Sequence, residues 1–253
     1  MSLRPVREMI RPQPTREGAG VQLQRAFGFG KTKDFDPFLL FDDFRNDNPR
    51  DYLAGFPWHP HRGIETITYV LAGSVEHGDS LGNRGTMGAG DVQWMTAGSG
   101  ILHQEMPKGD AAGRMHGFQL WANLPAGLKM TDPRYQDIPS SAIPEVTDDD
   151  GTRARVICGE FWGKRGPVEG VAADPQYLDI SVPPLRTKRL KVETTRTAFA
   201  YVFAGSGTFR DASAPRAVLT EEPVADAGAP VYDASNHSLV LFDWGDEIVV
   251  QAG

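Results

Sequence analysis

The sequence predicts an all-β protein, and two observations lead to that prediction. The 253-residue chain contains 28 glycines and 19 prolines, so a turn-forming residue interrupts it every few positions. The segments between these interruptions are short, are rich in β-branched and aromatic side chains, and rarely show the periodicity of an amphipathic helix. We therefore expect short strands joined by tight turns.

Candidate strands occur in both halves of the chain. Each is a run of β-branched, aromatic or aliphatic residues bounded by turn residues. The clearest are residues 65–71, 91–95, 117–121, 154–157, 177–182, 198–203 and 238–242. Residues 69–73 (YVLAG) and 201–205 (YVFAG) share a local pattern, because both run into Ala-Gly. The pattern hints at a duplicated barrel, but strands that end at glycine are common in β proteins, so duplication stays open.

The segment between Pro125 and Gly151 has a different composition. Proline and serine are frequent there, and Asp148–Asp150 form an acidic run, which is typical of a connector between domains. The chain is also longer than the roughly 100 to 150 residues of a typical domain. We therefore expect two β domains, at residues 1–135 and 136–253.

The composition excludes several classes of function. A net charge of -7 leaves no strongly basic surface for DNA phosphates, so direct nucleic-acid binding is not expected. Cys158 is the only cysteine, which excludes an internal disulfide and a cysteine-rich metal site and fits a reducing cytoplasm. No apolar run approaches the ~18 residues of a spanning helix, and Met1–Arg11 lacks the apolar segment of a signal peptide. We expect a cytoplasmic protein without a membrane segment.

The histidines point to chemistry in the first half of the chain, since only His237 lies in the second half. His59 and His61 are two residues apart, as are His103 and Glu105, and residues i and i+2 of a strand project from the same face. Two strands can thus direct three imidazoles and one carboxylate to one divalent metal ion, with positions left open for water or substrate. An isolated His-x-His pair is often incidental, and the second pair argues against that interpretation. A purely structural metal is a further alternative.

Other polar and aromatic residues have less specific interpretations. His77 lies in a polar, turn-like stretch and is expected to be an exposed histidine rather than a ligand. His116 precedes a strand whose alternate residues, including Gln119, have the parity to face a barrel interior, so Gln119 is a candidate for contact with substrate or a metal ligand. Burial in ordinary packing is the alternative for this region. Residues expected in the core rather than at a reactive site are Trp94, Met95, Phe118, Trp121 and Cys158.

Two sequence blocks resemble the signature blocks of the pirin family. They are residues 58–66 (WHPHRGIET) and residues 90–107 (GDVQWMTAGSGILHQEMP), and the similarity continues through residues 116–121 (HGFQLW). The resemblance covers most of the first 170 residues. Pirins are bicupins, so it implies two cupin-type jelly-roll β-barrels in one chain. Because the chain ends at Gly253, where pirins usually continue with further strands, we expect a shortened second barrel.

The resemblance implies that His59, His61, His103 and Glu105 hold the metal in the first barrel and that the second barrel is metal-free. The second half of the chain agrees, since it has no His-x-His pair. The general cupin pattern instead uses a glutamate four residues after the second histidine, which is Glu65 here. Strand parity does not decide between the two carboxylates, because Glu65 shares the parity of the first histidine pair. The pirin resemblance favours Glu105.

The resemblance also implies an activity, because pirins have been associated with quercetin 2,3-dioxygenase activity. The substrates would be a flavonol-like aromatic compound and O2, with Glu105 accepting a proton from the substrate. Phe56, Arg62 and Gln119 are expected to contact that substrate. The expected cofactor is one divalent metal ion, Fe(II) on the strength of the resemblance, although nickel, copper, manganese and zinc suit the same donors.

A competing hypothesis is a protein-binding regulator whose metal acts as a switch. Pirins include transcriptional co-regulators and bacterial partners of metabolic enzymes, so the resemblance also allows a protein partner without catalysis. The two hypotheses rest on the same sequence features. The cupin fold hosts many unrelated functions, so the fold does not separate them.

Overall fold

The computed structural model describes residues 2–211 and 231–253, which form short strands joined by turns. The first strands along the chain are β1 (Val6–Ile10), β2 (Gln13–Glu17), β3 (Val21–Phe27), β4 (Phe38–Asp43), β5 (Phe56–His61), β6 (Ile64–Ala72), β7 (Ser74–Asp79), β8 (Arg84–Met87), β9 (Val92–Thr96), β10 (Ile101–Lys108), β11 (His116–Asn123) and β12 (Arg134–Ile138). They are followed by β13 (Glu145–Thr147), β14 (Arg153–Cys158), β15 (Glu160–Phe161), β16 (Lys164–Arg165), β17 (Tyr177–Ser181), β18 (Thr187–Lys191), β19 (Ala198–Val202), β20 (Ser206–Arg210), β21 (Val231–Ser235), β22 (Ser238–Phe242) and β23 (Glu247–Ala252). The helical segments are the single turn α1 (Thr32–Phe35) and the 3-10 turns Phe29–Lys31, Pro49–Asp51, Ala126–Leu128 and Ser140–Ala142.

The all-β prediction is confirmed. The predicted strand at residues 65–71 lies within β6, the one at 198–203 coincides with β19 to within one residue, and the one at 238–242 is β22. These runs form strands because their β-branched and aromatic side chains pack well on a pleated surface. Within the two described ranges, each helical segment is far too short to cross a membrane.

The described chain divides into two compact units. The N-terminal barrel comprises residues 13–146 and 154–179, and the C-terminal barrel comprises the described residues of 1–12, 147–153 and 180–253. This grouping differs from a single cut near residue 135. Residues 134–138 were expected in a connector, but they form β12, which pairs antiparallel with β9 of the N-terminal barrel. Composition misses this strand because its contacts are not local: Tyr135 packs against the buried apolar cluster of Met95, Ala97 and Ile101.

The N-terminal segment belongs to the C-terminal barrel because of β1 and Arg4. β1 pairs antiparallel with β22. Arg4 is 1% exposed, and its guanidinium donates hydrogen bonds to backbone carbonyl oxygens of the same unit. The acceptors are Glu193 at 2.6 Å, Gly245 at 2.8 Å, Arg196 at 2.9 Å, Asp243 at 3.1 Å and Thr194 at 3.3 Å. Burial lowers the pKa of Arg4, and the nearby aspartates partly offset that effect. These contacts connect residues that are more than 180 positions apart in the sequence.

Two antiparallel sheets line the interior of the N-terminal barrel. The larger sheet has the strand order β12-β9-β6-β11-β4-β3-β2, and the smaller has the order β5-β10-β7-β8. The chain passes from the smaller sheet to the larger in the turn between β5 and β6. Gly63 in this turn has a φ of +69°, a left-handed conformation that glycine adopts without a Cβ clash. β5 and β6 are therefore neighbours in sequence but members of different sheets.

Candidate metal centre

Three histidines converge on the inner face of the smaller sheet. In the antiparallel pair of β5 and β10, His61 lies opposite Ile101 and His59 lies opposite His103, so these side chains share one face. The register then shifts by one residue, which is the mark of a β-bulge. One potential ligand atom from each histidine lies within 4.8 Å of the others. The structure therefore brings together the three imidazoles that the sequence predicted.

The hydrogen bonds of the ring nitrogens leave acceptors that a metal ion could use. Nδ1 of His59 lies 2.8 Å from the carbonyl oxygen of Pro57, to which it donates, so that Nε2 is left as an acceptor. This Nε2 is 3.0 Å from Nε2 of His61. His103 is 2% exposed, and neither of its ring nitrogens has a hydrogen-bond partner among the described residues. An unpaired buried polar atom costs about 1–3 kcal/mol, a penalty that a cation shared by the three rings would remove for the nitrogen that binds it. The donor set fits a divalent metal.

Burial keeps the imidazoles of His61 and His103 unprotonated at neutral pH. It lowers the pKa of His61 to about 4 and that of His103 to about 3, and the neighbouring histidines shift both values in the same direction. Metal coordination needs the neutral imidazole. At neutral pH, protons therefore do not compete for these two ligands.

Glu105 lies beside the three histidines. It follows His103 by two residues on β10, is 8% exposed, and lines the same cavity as His59 and His61. Its Oε1 lies 3.1 Å from the hydroxyl oxygen of Thr68 on the larger sheet. The negative charge of Glu105 raises the pKa of His61, although burial outweighs this effect. Its position is compatible with a fourth ligand, and that role stays a prediction.

Glu65, the competing carboxylate, lies on the other face of the larger sheet. It is opposite Thr96 of β9, whose hydroxyl donates to Glu65 Oε1 at 2.8 Å. Thr68 has the other parity on β6 and lines the cavity. The parity that Glu65 shares with the histidines of β5 carries no information, because the turn at Gly63 moves the chain to a different sheet. Burial, the largest influence, raises the pKa of Glu65.

A cavity of about 500 Å³ opens beside the histidines. This volume lies within the range of about 300 to 1,000 Å³ that is usual for small-molecule sites. Phe56, Arg62 and Gln119 all line the cavity, as expected, and their contacts with a substrate stay predictions. Apolar residues line another part of it: Val21, Leu23, Phe44, Val75 and Met115. The cavity thus joins a polar region to a largely apolar one.

One of the five residues expected in the core, Trp121, belongs to the cavity instead. Trp94, Met95 and Phe118 are at most 3% exposed, as predicted. Trp121 lines the cavity, and its ring meets that of His61 edge to face with centroids 5.0 Å apart. Strand spacing alone does not distinguish a filled interior from a hollow one, because both place the side chain on the same face.

His77 is buried rather than exposed, which corrects the turn interpretation. It lies on β7 opposite Glu105 of β10 and is 7% exposed. The amide of Gln93 donates to its Nε2 at 2.9 Å, and the ring of Tyr135 stacks on it with centroids 5.8 Å apart. The polar sequence around His77 resembles a turn, but pairing with β10 makes it a strand.

His116 and Cys158 both have packing roles. His116 is half-buried, meets the ring of Phe118 edge to face at 5.3 Å, and has its Nε2 3.8 Å from Oδ1 of Asp43. Cys158 is buried as expected, and burial raises the pKa of its thiol to about 11. A thiol with this pKa is protonated at neutral pH and is a poor nucleophile.

Sequence analysis missed Thr68 as a member of the site. Thr68 on β6 lies directly opposite Gln119 on β11, and its hydroxyl oxygen is 2.9 Å from Gln119 Oε1 and 3.1 Å from Glu105 Oε1. Its threonine identity is unremarkable in a strand. Only the pairing of β6 with β11 and the facing of the two sheets give the hydroxyl its partners.

Comparison with known proteins identifies relatives of this chain. The family model described as Pirin matches residues 20–122. A pirin-like protein of Caulobacter vibrioides is 47% identical over 206 residues, which are 81% of this chain and 74% of that protein. A Pseudomonas aeruginosa protein named "Putative quercetin 2,3-dioxygenase" is 43% identical over 209 residues, which are 81% of this chain and 73% of that one. A crystal structure of quercetin 2,3-dioxygenase from Acinetobacter baumannii superposes with a TM-score of 0.83 at 28% identity and covers 99% of this chain and 83% of its own.

Proposed function

Because the chain belongs to the pirin family, we propose that it is a metal-dependent dioxygenase that cleaves flavonols by quercetin 2,3-dioxygenase-type chemistry. The two-barrel cupin fold predicted from the sequence is confirmed. Relatives named for quercetin 2,3-dioxygenase support the choice of activity. The proposed reaction consumes one O2, places both of its atoms in the ring-opened ester, and releases one ring carbon as carbon monoxide.

One observation supports the proposal most strongly: two of the clustered histidines also line the cavity. His59 and His61 border both the candidate metal position and a space of about 500 Å³, a volume usual for small-molecule sites. A closed structural metal site would have no such space beside it. This arrangement favours a metal that meets a small molecule.

The residues of the chain supply binding, orientation and a proton acceptor. The rings of Phe56 and Trp121 offer apolar contact to a planar substrate. His59, His61 and His103 would hold the metal, which when bound lowers the pKa of a coordinated hydroxyl. Glu105 accepts the proton of the substrate's 3-hydroxyl, so its carboxylate becomes neutral and the negative charge passes to the substrate oxygen. The apolar part of the cavity limits the access of water to the ring.

We propose Fe(II) as the physiological metal, from the family alone. Three imidazoles and a carboxylate also suit nickel, copper, manganese and zinc, and affinity by itself favours copper. Metal analysis of protein produced in minimal medium would identify the ion that the chain acquires. A preparation that contains zinc alone would contradict the choice of iron, because zinc has no redox chemistry with which to use O2.

The activity is tested by oxygen uptake and carbon monoxide release with quercetin. We expect both from the iron-loaded protein, in equal amounts, and neither from the metal-free protein. Glu105→Gln should abolish turnover because the amide cannot accept the proton. Glu65→Gln is the matched control and should retain activity, since Glu65 lies on the opposite face of its sheet.

Failure of this test would favour the hypothesis of a metal-dependent, protein-binding regulator. If protein loaded with iron, nickel, copper or manganese neither takes up oxygen nor releases carbon monoxide above the metal-free control, the dioxygenase proposal is wrong. A metal-dependent regulator of a protein partner would then be the function to test.

A further inference from the structure

The hydroxyl of Thr68 has more acceptors than it has hydrogens. Its oxygen lies 3.1 Å from Glu105 Oε1 and 2.9 Å from the atom assigned as Gln119 Oε1, and both distances are those of hydrogen bonds. A threonine hydroxyl donates one hydrogen and accepts through its two lone pairs. It cannot donate to both oxygens at once, so one of the two contacts has to run in the other direction.

The carboxylate settles which contact is reversed. An ionised Glu105, the form needed in a metal ligand or proton acceptor, only accepts hydrogen bonds, so Thr68 donates to it. Gln119 must then donate to Thr68. The oxygen and nitrogen of a glutamine side chain are distinguished by the hydrogen bonds they make, not by their shape. The consistent assignment places Nε2 of Gln119 against the Thr68 hydroxyl and turns its carbonyl oxygen away from Thr68.

The carbonyl oxygen that this assignment turns away from Thr68 belongs to Gln119, which lines the cavity. Gln119 and Thr68 are directly opposite each other on β11 and β6, and both border the same space as His59 and His61. With its nitrogen used by Thr68, the amide offers an acceptor and not a donor to a bound molecule. A hydroxyl on the ligand is the complementary group.

We propose that Thr68 is a positioning residue that orients both the Glu105 carboxylate and the Gln119 amide, and that Gln119 Oε1 thereby selects ligands that present a hydroxyl donor other than the 3-hydroxyl whose proton Glu105 accepts. This inference rests on the proposed function, because it takes Glu105 as ionised and the cavity as the substrate site. Thr68 thus joins the residues of the site, and the site prefers ligands that donate a hydrogen bond to Gln119. Thr68 acts through Glu105, since the hydroxyl holds Oε1 and so fixes the direction of Oε2.

Metal affinity tests the role of Thr68 without any substrate. Thr68→Val keeps the shape and removes the hydroxyl, whereas Thr68→Ser keeps the hydroxyl. We expect Thr68→Val to weaken Co(II) binding, measured by competition with a chelator, by about 10- to 100-fold, and Thr68→Ser to bind as the original protein does. Thr66→Val is the matched control, because Thr66 is equally buried on the same strand, and it should leave Co(II) affinity unchanged.

Two outcomes of that measurement overturn the role. One is a Thr68→Val protein that binds Co(II) as tightly as the original. The other is a loss of affinity in Thr68→Val that Thr68→Ser does not restore, because it would come from packing and not from the hydroxyl. If Thr68→Val does not fold, the comparison of Thr68→Ser with Thr68→Ala carries the same information.

Ligand binding tests the orientation of Gln119. In nickel-loaded protein without oxygen, we expect Gln119→Leu to weaken the binding of quercetin about tenfold and to leave the binding of unhydroxylated flavone unchanged. Equal losses for the two ligands would overturn the acceptor role, because a hydrogen bond to a ligand hydroxyl affects only the ligand that has one. Both measurements are independent of turnover. A protein without dioxygenase activity would contradict the proposed function, but the two binding measurements would still decide whether the hydrogen-bond assignment is correct.

Discussion

Both barrels are built from short antiparallel strands, but different side chains face their interiors. In the C-terminal barrel, a buried apolar cluster contains Val6, Phe209, Ala234, Val240, Phe242 and Ile248. In the N-terminal barrel, polar residues occupy the inner face of the smaller sheet, next to a cavity. Within residues 2–211 and 231–253, the one cluster of potential metal ligands is the three histidines of the N-terminal barrel. The comparison teaches that the inward-facing side chains, and not the barrel itself, determine where chemistry is possible.

The largest expected effect is on metal content, which should fall when a clustered histidine of the N-terminal barrel is removed and not when the histidine of the C-terminal barrel is. His103→Ala deletes a candidate ligand that is 2% exposed, so we expect stoichiometric metal to fall at least about tenfold. His237→Asn in the C-terminal barrel is the control and should retain the metal, since asparagine tolerates the φ of +63° at that position. Elemental analysis after gel filtration measures both. Unchanged metal affinity in His103→Ala would defeat the assignment of the site.

The next largest expected effect is a difference in metal retention between substitutions of Glu105 and of Glu65. Glu105→Gln should weaken metal retention by about tenfold, because it removes a charge that lines the metal cavity. Glu65→Gln should retain metal, because its carboxylate faces Thr96 on the other side of the sheet. Chelator competition provides the measurement. Loss of metal in Glu65→Gln alone would return the site to the general cupin pattern.

The C-terminal barrel should depend on its own buried cation. Arg4→Met leaves several backbone carbonyls without their donor and should lower the free energy of unfolding by about 3 kcal/mol. Urea denaturation measures the change, and the exposed Arg16→Met on β2 is the control. Metal content at low urea should stay unchanged, because Arg4 belongs to the other unit. Equal stability of the two variants would show that the Arg4 contacts contribute little.

The last expected effect is a pH dependence of the metal-free N-terminal barrel. Burial lowers the pKa of His61 to about 4 and of His103 to about 3, so between pH 6.5 and these values the unfolded state binds more protons than the folded state. Stability is therefore fully present above about pH 6.5 and falls as the pH decreases, by up to about 1.4 kcal/mol per pH unit for each histidine. Thermal melts across this range should show the decrease.

The control for this effect removes the titrating groups. A His61→Asn, His103→Asn double variant without metal should lose stability less steeply over the same pH range. Equal slopes for the two proteins would mean that other groups cause the dependence.

The sequence by itself determined the fold class and the three histidines of the candidate metal centre. Turn residues and β-branched runs act locally, so strands such as β6, β19 and β22 follow from composition and spacing. The i, i+2 spacing of His59 and His61 also acts locally, because any strand places both on one face. The resemblance to a family then supplied which of two carboxylates to prefer.

Only the tertiary structure decided the relations between strands. The turn at Gly63 changes sheets and so separates Glu65 from the cavity, which parity along the sequence cannot reveal. Pairing of β6 with β11 gives Thr68 its hydrogen-bond partners, and pairing of β7 with β10 buries His77. Arg4 joins residues far apart in the chain. The physical reason is common to all of these: strand pairing and sheet facing are non-local, so a side chain's partners are set by residues distant in the sequence.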